Sequence, residues 1–463
     1  MEPMAVDEII QLAKPANGFS LCDTPVVGVS IDSRTIKRGE LFVAVRGNRT
    51  DGHNYIQEAI DKGASGIVAE TAFNVNDVRT RNRKVNFFVV KDSLEFLGNM
   101  ARLYLKKLGV KTISVTGTSG KTSVKDFIVQ ILSKNYFAAG SKGNYNNLYG
   151  LPLSIFDLNC WTEVAVLEMG MSAPGEISRL CEIAQPDIGV LNNIGYAHIE
   201  TLGSIGNIAR AKSEMVEFIS KKGGVVVINY DDERVVNLSK GLDCKYIKVG
   251  TASECDFRIS NISVDNNANP SFKLNGRAVK LNIPGIFSIY NSAMALAASV
   301  TYGIEFEVAL EELPKLRLPE MRSSVYNLGG VTVIDDCYNA NPQSTGEAVR
   351  VLSSLRANRR FMVFGDMLEL GVLADSLHRE VGERIGKSNV DCLLTYGNLA
   401  ELSGARAQEF NGNIEVVHCG DYEEIARILS QKMGKGDAVL FKGSRGMKLE
   451  KALELFTEFI KGK

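Results

Sequence analysis

Glycine, lysine and threonine stand together in KTISVTGTSGKTS, residues 111 to 123. Thr112, Ile113 and Val115 read as a buried strand. Thr116 leads into the loop Gly117-Thr118-Ser119-Gly120-Lys121-Thr122, and Ser123 continues into a helix. Glycines let backbone N–H groups turn toward an anion, and the positive end of the following helix points at the same spot. Lys121 adds a mobile charge for outer phosphates, and the Thr122 hydroxyl can ligate Mg²⁺. The pattern departs from a Walker A loop at one place, since Val115 stands where that motif has its first glycine.

Further chemistry lies at the ends of apolar runs. Glu168 closes AVLEMG, and an acidic strand end downstream of a phosphate loop commonly meets Mg²⁺. His198, in NNIGYAHIETLGS, lies past the next strand and is either a structural histidine or a metal ligand. Lys212, in IGNIARAKSEMVEFI, shares a helix face with Ile208, Met215, Val216 and Ile219. A lysine on an apolar stripe either snorkels to the helix edge or is held neutral and chemically modified. Asp335 and Asp336 end a further strand before Cys337-Tyr338-Asn339-Ala340-Asn341-Pro342, which brings carboxylates and amides to a crevice. Arg322, in LRLPEMRSS, could reach phosphates if domains close around residues 313 to 320. Ser33 and Arg34 could bind a phosphate or form an ordinary turn, and Asp51-Gly52-His53 makes a polar turn.

The elements that position these groups follow from length and pattern. A chain of 463 residues suggests about three domains. A net charge of −1 provides no basic field for general nucleic-acid binding. The eight cysteines (22, 160, 181, 244, 255, 337, 392, 419) form no CxxC pair, so neither a zinc site nor a disulfide framework is expected, and a reducing cytoplasm fits. MEPMAVDEIIQLAK lacks the apolar core of a signal peptide, and runs such as Ala293 to Val300 fall far short of the ~20 residues of a membrane span.

The fold class expected is α/β in three domains, residues 1–108, 109–315 and 316–463. In the first, strands are expected at 26–31, 41–45, 66–68 and 86–90. In the second they are expected at 163–168, 187–192 and 224–229, with helices at 174–184 and 205–219, giving a mostly parallel sheet. Residues 256–284 read as hairpins turning at Asn275-Gly276, followed by a helix over 289–302. The third domain alternates strands at 331–335, 360–364, 391–395, 414–418 and 437–441 with helices, the last at 447–460, as in a doubly wound sheet. It lacks G-x-G-x-x-G, which disfavours a nicotinamide role.

TGTSGKT resembles the phosphate loop of the Mur ligases, which make peptidoglycan precursors for cell-wall synthesis. IDSR, DGH, GNYNNLYGLP, EMGMSAPGEI, AHIETLGS, ARAKSE, DDCYNANPQS, GDMLELG and KGSR follow in the family's order over nearly the whole chain. YNANP and GDMLELG are similar to the branch that joins D-alanyl-D-alanine to UDP-N-acetylmuramoyl-tripeptide, and no DNPR-type motif is present.

The resemblance implies an N-terminal α/β uridine-nucleotide module, a central P-loop ATPase domain and a C-terminal Rossmann-like domain for the dipeptide. It implies a ligase that uses ATP and two Mg²⁺ ions; a monomer is expected, and the charge and the short apolar runs give no expectation of a nucleic-acid partner or of membrane insertion. ATP would be held by Thr116 to Ser123 with Asn291, Arg322 and Asp336, and one metal by Thr122 and Glu168. His198 and a carbamylated Lys212 would serve the second metal. Lys121, Glu168, His198 and Lys212 would be catalytic. Ser33, Arg34, Asn146, Asn147, Tyr338, Asn339 and Asn341 would meet the substrates. The chain departs from the family at Phe287-Ser288, where His-Asn is usual. A folylpolyglutamate-type ligase shares the ATP core but lacks the N-terminal module and YNANP. A nucleotide-switched binding protein would not need Lys121, Thr122, Glu168, His198 and Lys212 together.

Overall fold

The computed structural model describes residues 1–13, 23–47, 50–74, 84–319 and 321–461. Cys22, the end of the 313–320 segment at Glu320, and Asn48-Arg49 of the stretch before Asp51 lie outside them. The chain divides into two compact units. One comprises Met1–Ser114, Asn135–Met171 and Gly175–Asp187, and the other Val115–Lys134, Ser172–Pro174 and Ile188–Lys463.

The first unit holds a parallel sheet in the order Val29–Ser30, Leu41–Val43, Gly66–Glu70, Asn86–Val90. One face packs Phe42, Ile56, Ile60, Ile67 and Phe87 into a core. The first strand is shorter than the expected 26–31, because Val26 pairs instead with Met4 in an isolated bridge. In the same unit Ala138–Gly140 pairs in parallel with Val164–Glu168, which is fully buried and ends on Glu168.

The second unit holds two sheets. Strands Ile188–Leu191, Val225–Asn229, Lys245–Gly250 and Phe257–Val264 run parallel in that order, and Pro270–Leu274 and Arg277–Lys280 extend them as antiparallel strands. Leu274 pairs with Arg277, so Asn275 (φ 48°) and Gly276 (φ 83°) form the expected two-residue turn, whose left-handed dihedrals suit asparagine and glycine. The strand Lys245–Gly250 and the helix Glu233–Lys240 are additions to the sequence reading. The strand is only half-buried along most of its length, so it carries a weak alternation.

The other sheet has the order Ser324–Leu328, Val331–Asp336, Ala438–Lys442, Arg360–Gly365, Cys392–Tyr396, Glu415–Cys419. All neighbours are parallel except the edge strand Ser324–Leu328. That edge strand is largely exposed, so no apolar stripe marked it in the sequence. The three strands that end on Asp336, Gly365 and Lys442 are adjacent, which brings DDCYNANP, GDMLELG and KGSR to one carboxyl edge. No helix among the described residues is long and apolar enough to cross a membrane.

Buried His378 fixes part of this edge. Its Nε2 accepts from the Met367 N–H at 2.9 Å, so Nδ1 carries the proton and donates to the Ala374 carbonyl at 2.7 Å. Burial holds the imidazole below its ordinary value of 6.5, opposed by the Ala374 bond. A lowered folded value means that the unfolded chain binds the proton first as pH falls. The contribution is therefore complete above pH 6.5 and is lost progressively below it. Thermal melts should show this acid-side loss, and His378→Gln should flatten it while costing about 1–3 kcal/mol at neutral pH. An unchanged pH slope in the variant would refute the assignment.

Candidate active site

The strand Lys111–Thr116 feeds the loop, and the helix Lys121–Leu132 follows it. Gly120 has φ 79°, and a Cβ there would lie 2.6 Å from Asn192 Nδ2 and from Asn291 Oδ1. Only glycine fits both the dihedral and the space. Lys121 folds over the loop, donating to the Gly117 and Thr118 carbonyls at 3.0 and 3.2 Å. One expectation needs correction. The N–H groups of Thr118 and Ser119 do not open toward an anion but donate to Asn193 Oδ1 at 3.0 and 2.8 Å. Asn193, just past the strand Ile188–Leu191, reaches the loop first.

Asn192 and Asn193 are site residues that the sequence reading passed over. Asn192 Nδ2 bridges the Ser119 carbonyl (2.9 Å) and Asn291 Oδ1 (3.0 Å). Its own Oδ1 is buried without a partner. Two asparagines at the carboxyl end of an apolar parallel strand were the available signal. Asn291 is buried in the helix Phe287–Tyr302. Ser288 is turned inward and donates to the Gly285 carbonyl at 2.6 Å.

The helix Ile205–Lys221 begins at Ser204, whose side chain caps it by accepting from the Asn207 N–H. Lys212 is 4% exposed, and Ile208, Met215, Val216 and Ile219 are wholly buried. The stem therefore does not snorkel to water. Burial, reinforced by the charge on Lys121, pushes the Lys212 amine well below the ordinary lysine range. His198 (φ 56°) precedes the short helix Ile199–Leu202, and its Nδ1 lies 2.6 Å from Glu369 Oε2.

Residues from the carboxyl edge of the last sheet meet the phosphate loop. Arg322 Nη2 donates to Thr122 Oγ1 at 3.0 Å, and its guanidinium stacks over the Tyr338 ring at 3.9 Å. Asn341 Nδ2 donates to Ser119 Oγ at 3.1 Å, while its Oδ1 caps the helix Pro342–Ser354. Its amide thus links elements rather than standing open to a substrate. Asp336 accepts from the Ser323 N–H and pairs with Lys442 at 2.6 Å. Lys442, also missed in the sequence, is 2% exposed and donates to the Asn339 carbonyl at 2.7 Å. Ser444 Oγ accepts from the Leu368 N–H at 2.8 Å, which ties KGSR to GDMLELG.

In the first unit Glu168 is 2% exposed and accepts from Asn146 Nδ2 at 2.7 Å. Asn147 Oδ1 accepts from the Tyr149 and Gly150 N–H groups, shaping the start of the helix Gly150–Phe156. Ser33 donates to Glu58 at 2.8 Å, and Arg34 pairs with Asp32 at 2.7 Å. The Arg34 bonds hold the Asp32 carboxyl down at about 2.

Comparison with known proteins places this geometry. The model of the Mur ligase family, catalytic domain, matches residues 25–105; that of the Mur ligase middle domain matches 115–299; and that of the Mur ligase, glutamate ligase domain, matches 321–445. The UDP-N-acetylmuramoyl-tripeptide–D-alanyl-D-alanine ligase of Bacillus subtilis (strain 168) is 34% identical over 93% of each chain. That of Rickettsia prowazekii (strain Madrid E) is 30% identical over 92% of this chain and 94% of its own. A crystal structure of MurF from Acinetobacter baumannii has the same three-domain α/β fold of mostly parallel sheets, with a TM-score of 0.88, 24% identity and 99% of each chain covered. The MurF ligase from Thermotoga maritima, solved in complex with ADP, gives a TM-score of 0.81 at 31% identity over 94% of this chain and 98% of its own. Matched along nearly its whole length by these models and relatives, the chain belongs to the Mur ligase family.

Proposed function

We propose that this chain is an ATP-dependent ligase that joins D-alanyl-D-alanine to UDP-N-acetylmuramoyl-tripeptide, giving ADP, phosphate and the UDP-muramoyl-pentapeptide. The observation that carries the reading is the docking of Arg322 and Asn341, from the YNANP-bearing sheet, onto Thr122 and Ser119 of the phosphate loop. The activity for which the 34%-identical Bacillus relative is named supports the same substrates, and the ADP bound by the Thermotoga relative supports the nucleotide. In this reading residues 1–108 bind the uridine nucleotide, 109–315 bind ATP and 316–463 receive the dipeptide. The enzyme works as a monomer in the cytoplasm, on soluble precursors.

The reaction is amide formation in two steps. The peptide carboxylate attacks the γ-phosphorus of ATP, forming an acyl phosphate and releasing ADP. The neutral dipeptide amine then attacks the acyl carbon and forms the C–N bond; phosphate leaves with the C–O bond electrons and takes up the proton that the nitrogen sheds. Negative charge builds first on the transferring phosphoryl oxygens and then on a tetrahedral oxyanion. Lys121 and Arg322 are the cations suited to meet the first, once Lys121 exchanges its loop carbonyls for phosphate oxygens. No enzyme nucleophile is required.

Mg²⁺ is the metal this reading calls for: Glu168 of the first unit, and Thr122, His198 and a carbamate on Lys212 of the second, offer mostly hard oxygen donors, and Mg²⁺ is usually held by one or two carboxylates plus substrate phosphates. Two ions bound there would neutralise charge on the phosphoryl oxygens.

The direct test is mass spectrometry of products formed with ATP, D-alanyl-D-alanine and each UDP-tripeptide, carrying lysine or diaminopimelate. A pentapeptide product is expected, with phosphate release that needs both peptide substrates. Efficient use of free lysine or diaminopimelate, with none of the dipeptide, would replace this assignment. Phosphate release without either peptide would favour a nucleotide switch.

A further inference from the structure

We infer that Glu369 is a positioning residue that orients the His198 imidazole for metal binding, and that it does so from the C-terminal sheet. The inference rests on the reading of His198 as a metal ligand and adds the group that prepares it. His198 lies in the segment matched by the middle-domain model, and Glu369 in that matched by the C-terminal model. Their side chains meet at 2.6 Å through Nδ1 and Oε2.

The contact is built from both sides. His198 (φ 56°) and Glu369 (φ 65°) are non-glycine residues in the left-handed region, where a side chain costs free energy unless surrounding structure enforces it. The Glu200 N–H donates to the Glu369 carbonyl at 3.2 Å, so backbone pairing accompanies the side-chain pair. At Gly371 (φ 51°) a Cβ would come within 3.0 Å of Glu200 Cα, so the GDMLELG loop fits against the histidine segment only with glycine there. The loop itself is held by His378 at Met367 and by Ser444 at Leu368. Asp366 anchors its start by accepting from the Leu399 and Ala400 N–H groups. Glu369 is thus presented from a fixed backbone.

The chemistry follows from the ring. A carboxylate at Nδ1 requires that nitrogen to carry the proton, which leaves the Nε2 lone pair for a metal. A carboxylate–histidine pair also raises ligand basicity and fixes the ring plane. Because the carboxylate comes from the dipeptide-side sheet, the metal ligand is prepared only while that loop is docked. Docking at the dipeptide side and metal affinity at the phosphate side are then two readings of one contact.

The test is Mn²⁺ affinity, read by electron paramagnetic resonance with a non-hydrolysable ATP analogue, together with ¹⁵N-histidine NMR of the metal-free protein. The chain has four histidines, so His198 can be assigned by substitution. Glu369→Ala should weaken Mn²⁺ binding about 10–100-fold and move His198 away from the Nδ1–H tautomer. Glu369→Gln retains an acceptor and the loop, so it should keep the tautomer and lose less affinity, a split that simple misfolding would not produce. Unchanged affinity and tautomer in Glu369→Ala, or wild-type affinity in Glu369→Gln, overturns the inference. His198→Ala separates the two claims. If it binds Mn²⁺ as tightly as wild type, the metal reading of His198 fails and this inference with it. If it binds weakly while Glu369→Ala does not, only the role of Glu369 fails.

Discussion

Replacing Lys212 with alanine is expected to leave a folded protein and to lower ligation on the order of 10²–10³-fold. Lys212 is 4% exposed and lies among wholly buried Ile208, Met215, Val216 and Ile219. An ammonium there loses water, and Lys121 adds like-charge repulsion, so both effects favour the neutral amine. A neutral amine adds CO₂: the nitrogen lone pair forms an N–C bond, one C=O bond opens to a carboxylate, and the N–H proton passes to solvent. The product is an anion with two hard oxygens, suited to Mg²⁺. Modification thus turns repulsion from Lys121 into attraction. Alanine suits the helix and removes a buried polar group, which offsets the packing lost with the stem. Short carboxylates such as acetate should partly restore activity by occupying the vacated oxygen positions. The direct observation is a carbamate resonance in ¹³C NMR with labelled bicarbonate. An unmodified lysine in active, Mg²⁺-loaded enzyme, or full activity in Lys212→Ala, would reject the idea.

How far such a site can be read from sequence depends on the range of the interactions that define it. The Lys212 helix is legible because its evidence is local: apolar residues at helical spacing around one lysine predict the burial that the structure shows. The phosphate loop and the strand ending on Glu168 are legible for the same reason, since an apolar run and its terminus are adjacent in sequence. The orientation of the loop is not. Nothing in GTSGKT reveals that Asn193 captures the Thr118 and Ser119 N–H groups, because that acceptor arrives from just past another strand. Asn341 shows the limit of reading by residue type. An amide after two strand-end aspartates suggests a ligand contact, yet its oxygen is committed to a helix cap. The His198–Glu369 pair joins two motifs that the sequence ordered correctly but could not bring face to face. The edge strand Ser324–Leu328 escapes for a different reason: exposed on most positions, it carries no buried face to impose a period.

Replacing Lys121 with methionine should lower turnover by a similar factor, on the order of 10²–10³-fold, while leaving the dipeptide KM nearly unchanged. The ammonium now donates to the Gly117 and Thr118 carbonyls, within the loop that the ATP phosphates would enter. Those bonds keep the ammonium at the loop until the nucleotide arrives, when it exchanges them for phosphate oxygens. Methionine keeps the length of the stem but cannot meet the charge that grows on the phosphoryl oxygens. Arginine keeps the charge but is bulkier, and its planar guanidinium cannot reproduce the point charge of an ammonium at the loop carbonyls, so Lys121→Arg should recover only part of the loss. The same lysine lowers the amine value of Lys212 through its charge. Removing it relieves the free amine but takes the cationic neighbour from the carbamate. The labelled carbamate resonance should therefore weaken in Lys121→Met. Since each residue supports the other, Lys121→Met and Lys212→Ala combined should cost less than the product of the single losses. Losses that simply multiply, with the carbamate signal intact in Lys121→Met, would mean that the two lysines act independently. Near wild-type turnover in Lys121→Met would remove the phosphate role itself.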